Sequence, residues 1–120
     1  MTSYCTLYDV KKRLQMQVND VSSHPELEDV IAEAQVVMDE DLKGYVTTPL
    51  TSVPDILKYA CADLAASIFK GRRAKAEAHG EDMAIIFRKA YEEKVTKYLG
   101  NLSGASTSPL YIGEDDDSTV

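Results

Sequence analysis

The chain predicts an all-α protein: a small bundle of about four helices, with a short Pro/Thr-rich loop and an extended C-terminal tail. Three observations carry this. Apolar residues recur at three- and four-residue steps in four separate stretches. Ser, Thr, Asp, Pro and Gly stand at the edges of those stretches, where helices start and stop. The one Thr/Val-rich stretch, "YVTTPLTSVP", holds Pro49 and Pro54, which bar it from a central strand. It reads as an extended loop or a short edge strand. At 120 residues the chain fits one domain with a modest core. Residues 1–100 read as the helical domain, and 101–120 as a flexible linker and C-terminal arm.

Thr6 is placed to cap a first helix, with Asp9 three residues on. Leu7, Val10 and Leu14 follow at helical spacing. A second helix opens at Ser23, where Glu26 stands in the capping-box position and Pro25 occupies the first turn. Its apolar stripe is Leu27, Val30, Ile31, Ala34, Val37 and Met38, and Gly44 closes it. Glu26, Glu28, Asp29 and Glu33 load its N-terminal half, which suits the helix dipole.

The third helix carries the widest apolar face: Ile56, Leu57, Ala60, Cys61, Leu64, Ala65, Ile68 and Phe69. Ser52 and Asp55 make a cap pattern around Pro54. Its small residues let neighbouring helices come close, so it is expected to be central and most buried. Gly71 lies near its end, followed by Arg72 and Arg73. Gly80 marks a break after a polar connector. The fourth helix is expected from about Glu81 to Leu99, with Ala84, Phe87, Tyr91, Val95 and Tyr98 on one face and Met83, Ile86 and Ala90 beside them. Gly100 and Asn101 are expected to stop it.

Little here looks like chemistry. His24 and His79 belong to no ligand cluster and read as surface residues. No nucleophile elbow, P-loop or dinucleotide fingerprint occurs. Asp39–Glu40–Asp41 and the run Glu114–Asp117 read as solvated acid rather than as a calcium loop. Cys5 and Cys61 are far apart in sequence and have no metal spacing, so reduced thiols and intracellular synthesis are expected. No signal peptide or membrane span is expected. The chain reads as a non-enzyme without a cofactor or metal.

The net charge of −7 argues against broad binding to phosphates. The densest basic cluster is Lys70, Arg72, Arg73 and Lys75. It reads either as a helix end that favours cations or as the complement of an acidic neighbour, such as the tail of another copy. Tyr4, Tyr45 and Tyr111 fall outside the expected helices, where tyrosine often anchors an interface. The stretch "SPLYIGEDDDSTV" ends the chain. Its Leu110, Tyr111 and Ile112 are either a handle for another subunit, by strand addition, or incidental in a disordered tail.

Three stretches together, "YCTLYDVKKRLQM", "HPELEDVIAEAQVVMDEDL" and "SVPDILKYACADLAASIF", resemble the phage head–tail connector family, also called adaptor or head-completion proteins. The likeness is one of helix order and apolar spacing over roughly Tyr4 to Leu99: a short Asp-Val-Lys helix, an acidic helix, a Pro loop, and a helix of the form "P..I..A...LA". It implies a structural virion protein, made in the host cytoplasm and placed at the head–tail interface. Such a protein forms a ring, typically twelve-fold, under the portal protein. The ring extends the DNA channel and offers a platform for the next tail or stopper protein. DNA would pass its lumen without specific binding. The resemblance places contacts with the portal and neighbouring subunits in the loop, with Tyr45, Val46 and Leu50, and in the arm, with Leu110, Tyr111 and Ile112. The charge pattern adds Arg72 and Arg73. The loop is shorter than in the family pattern. The alternative is a small helical regulator or antitoxin-like module that binds one protein.

Overall fold

The computed structural model describes residues 3–17, 19–73 and 80–102. Four helices appear in chain order: α1 (Leu7–Leu14), α2 (His24–Leu42), α3 (Asp55–Arg72) and α4 (Gly80–Leu102). No strand occurs among the described residues, and 45–54 is a loop whose Thr48–Pro49 peptide bond is cis.

α3 is the hub. It packs against each of the other three helices, whereas the backbone of α4 packs against α3 alone. Nine of its 18 residues are buried, among them Ala60, Ala62, Ala65 and Ala66. These small side chains let helices approach on several sides at once. Leu57 and Leu64 fill the space between them and are fully enclosed. Burial of each is worth about 1.5–3 kcal/mol. From α2 come Leu27, Val30, Ile31, Ala34, Met38 and Leu42, the expected stripe extended by one turn. Tyr91 and Val95 enter from α4, and Val10 from α1.

The termini test local rules one by one. Thr6 caps α1 as its sequence predicts, its hydroxyl accepting from the Asp9 amide while the Asp9 carboxylate accepts from the Thr6 amide. Ser23 does not cap α2. Its backbone is not extended (φ −100°, ψ 5°), and the Glu26 carboxylate that would reach back instead accepts from Arg73 at 2.6 Å. At α3 the cap residue is Pro54 itself, with no side chain to accept a hydrogen bond, so Ser52 plays no part. Its carbonyl accepts from Leu57 and Lys58, and Asp55 supplies charge to the first turn.

Gly100 and Asn101 do not stop α4, which runs through Leu102. Tyr98 and Leu99 pack on the core just before them. That packing outweighs the roughly 1 kcal/mol a glycine costs in a helix. The expected linker therefore begins with two helical residues. His24, read as a surface residue, is half-buried at the start of α2 with its Nε2 enclosed. His79 lies outside the described residues.

Candidate subunit interface

The acidic run at the end of α2 is solvated at Glu40 and Asp41, as expected, but two of its carboxylates also take structural hydrogen bonds. Asp39 accepts from the Tyr4 hydroxyl and Asp41 from the Tyr91 hydroxyl, both at 2.5 Å, while Glu40 pairs with Lys43. Tyr4 is no outward anchor. It is 3% exposed, its amide donates to the Gln35 side chain, and its hydroxyl also accepts from the Leu50 amide at 2.8 Å. One tyrosine thus fastens the N-terminal lead to α2 and to the Pro/Thr loop.

Both hydroxyls keep their protons more tightly than an ordinary tyrosine. For Tyr91, burial and then the Asp41 carboxylate raise the pKa above 10.0. For Tyr4, burial acts first and the hydrogen bond to Asp39 second. The neutral form is the folded one. The unfolded chain gives up these protons near pH 10 while the folded chain does not, so the stabilisation is intact below pH 10 and fades above it. Where the unfolded chain has released the Tyr91 proton and the folded chain still holds it, the loss approaches about 1.4 kcal/mol per pH unit. Urea unfolding midpoints measured from mildly to strongly alkaline pH should fall less steeply for Tyr91→Phe than for the parent chain. Parallel curves would show that the hydroxyl holds no such proton.

Inside the bundle a second polar centre joins three helices. Asp63 of α3 is 2% exposed. Its Oδ1 accepts from Arg13 Nε of α1 at 2.7 Å, and its Oδ2 from Lys94 Nζ of α4 at 2.6 Å. A carboxylate inside the apolar run Cys61–Ala66 could be found by sequence alone, because so buried an acid needs cationic partners.

The places expected to meet other subunits fall into three groups. Tyr45 is 68% exposed, Val46 is half-buried against the core, and Leu50 is buried in its own chain. Arg72 and Arg73 face α2: Arg72 bonds Asp29 and Glu33 at 2.9 Å each, and Arg73 bonds Glu26 while its guanidinium lies over the Phe69 ring. The carboxylates that bond these cations therefore belong to the same chain. Leu110, Tyr111 and Ile112 lie outside the described residues.

A surface not singled out from sequence stands out instead. The first half of α4 exposes Ile85 by 51% and Ile86 by 58%, and no described side chain from Glu81 to Ala90 is buried. Met83 and Phe87, one turn apart, are half-buried beside Ile86. On the other flank Ile85 and Arg88 line an open groove against Ser67 and Gly71 of α3, where Gly71 leaves clear space. A signal for this was present. "MAIIF", Met83–Phe87, is five consecutive apolar residues. At 3.6 residues per turn they go once around the helix, so some must point outward.

Among the described residues no group of three metal-ligating side chains occurs, and no helix is long and apolar enough to cross a membrane. Exposed apolar side chains gathered on one helix face are the kind of surface through which proteins make contacts.

No curated protein and no solved structure matches the chain. A protein-family model, described as Bacteriophage Mu, Gp36, matches residues 4–109. That span takes in every helix, the loop between α2 and α3, and the start of the C-terminal segment. The chain therefore belongs to the Bacteriophage Mu, Gp36 family and is a phage protein.

Proposed function

We propose that this chain is a head–tail connector that assembles as a ring under the portal, extends the DNA channel and carries the next tail or stopper protein. The observation that carries the reading is the half-naked α4, whose Ile85 and Ile86 face outward in a phage-family chain. The backbone of α4 packs against α3 alone, and the outer side of its first half is free to take a neighbouring subunit. A contact in which α4 of one copy meets a different surface of the next is head-to-tail, and head-to-tail contacts close into rings when the rotation permits. The order of short helix, acidic helix, Pro loop and buried helix supports the same reading. The protein acts through surfaces and not as an enzyme. Its acidic balance lets DNA slide past without sticking. The arm from Ser108 to Val120, with Leu110, Tyr111 and Ile112, reaches the adjacent subunit or the portal.

Native mass by light scattering over a wide concentration range, with electron microscopy of the same sample and of portal-bearing particles, tests this. Closed rings, alone or on portals, are expected. A defined dimer that ignores portals would overturn the reading in favour of a regulator. Deleting Ser108–Val120 should leave the melting temperature unchanged and weaken assembly, and unimpaired assembly would remove the arm from the interface.

A further inference from the structure

Two thiols that the sequence separates by 56 positions meet in the core. Cys5 Sγ and Cys61 Sγ are 3.1 Å apart, and the residues are 3% and 0% exposed. Both are free. Each is held from both sides. Tyr4, just before Cys5, is tied to Gln35, Asp39 and Leu50, and Thr6, just after it, is tied to Asp9. Cys61 sits mid-α3 between the buried Ala60 and Ala62. A disulfide bond is about 2.05 Å long, so closing the pair asks for a shift of about 1 Å. Cys5 lies in non-helical backbone, which can move that far while α3 stays in place.

We propose that Cys5 and Cys61 form an oxidation site, closed to an intrachain disulfide by exchange with a low-molecular-weight disulfide. In the folded chain neither sulfur is open to attack, and the Cys61 thiol is held protonated by its contact with Cys5 and by burial. Exchange therefore proceeds through brief opening of the lead. The Cys5 thiolate attacks one sulfur of oxidised glutathione, joins it, and expels one glutathione thiolate. The Cys61 thiolate then attacks Cys5 Sγ and expels the second. Two protein thiols and one small disulfide become one protein disulfide and two glutathione thiols, and the two protons pass to the leaving thiolates. The product staples the lead and α1 to the central helix. It forms outside a reducing cytosol and not within one.

The test uses the isolated full-length chain and is independent of ring formation. The protein is incubated with oxidised glutathione at mildly alkaline pH, with and without a sub-denaturing concentration of urea to open the lead. Intact mass should fall by two hydrogens with no shift to covalent dimer. Peptide mapping should link Cys5 to Cys61. The melting temperature should rise by about 10 °C, as constraint of the unfolded chain by a long loop predicts. Dithiothreitol should reverse both changes, and Cys5→Ser should show neither. Persistent free thiols in both conditions, stable glutathione adducts, covalent dimers, or a linked chain that melts lower would each overturn the proposal.

Discussion

Asp63→Ala should cost about 3 kcal/mol of folding stability, because removing one partner of a buried ion pair strands the other. Here two are stranded. Arg13 and Lys94 converge on one carboxylate, and without it two like charges face each other at the junction of α1, α3 and α4. Both cations keep about a third of their side-chain surface exposed, so they turn partly to water and the loss stays near the low end of the range. Asp63→Asn should lose nearly as much. It keeps the shape but gives up the charge and turns an amide group toward two donors. Urea unfolding of the parent and both variants measures this, with a melting temperature lower by 10 °C or more as the thermal counterpart, on the order expected for a domain of this size. The triple change Asp63→Leu, Arg13→Met and Lys94→Met should recover most of the loss, since apolar replacement of a whole buried ion cluster is often neutral. A loss below about 1 kcal/mol for Asp63→Ala would mean the triad contributes no more than a surface pair.

The contrast between near and distant partners marks where sequence reasoning reaches its limit. Features that rest on near neighbours were legible. Thr6 and Asp9 are three residues apart, and the cap they form is the expected one. The stripes of α2 and α3 follow from spacing, and spacing is enough to tell which helix is central. Features that rest on distant partners were not. Ser23 and Glu26 have the letters of a capping box, yet Glu26 is claimed by Arg73, 47 positions on. Asp39 and Asp41 read as solvated charge, and nothing near them in sequence tells that they also accept from Tyr4 and Tyr91, 35 and 50 positions away. The two cysteines are the same case. Gly100 predicts a stop because glycine is a poor helix former, but α4 runs on through it with Tyr98 and Leu99 packed on the core. The candidate interface is partly legible. The run Met83–Phe87 is too long for one face, but which of its residues face outward depends on where α3 lies, and that only the fold supplies.

Ile86→Glu should abolish assembly while leaving the fold intact, and it is the change with the largest expected effect on function. Ile86 is more than half exposed in the isolated chain, so the substitution removes little from the core and should move the melting temperature by no more than an ordinary surface change, within about 0.5 kcal/mol. In the proposed ring the same side chain is buried against a neighbour. Covering an isoleucine is worth about 1.5–3 kcal/mol, and placing a carboxylate there adds a desolvation cost of similar size. A loss of about 3 kcal/mol per contact is on the order of a hundredfold in affinity. Every subunit of a closed ring makes that contact twice, so the defect repeats around the ring. Ile85→Glu, on the groove flank beside Arg88, separates the two sides of α4: a loss with Ile86 alone places the neighbour over Met83 and Phe87, and a loss with Ile85 alone places it over the groove. Salt dependence distinguishes this apolar contact from a charged one. Assembly through α4 should hold when ionic strength is raised, whereas assembly through Arg72 and Arg73 should weaken as their charge is screened. If both glutamate variants form rings or decorate portals as the parent does, the exposed isoleucines are not the subunit contact, and the observation on which the connector reading rests is withdrawn.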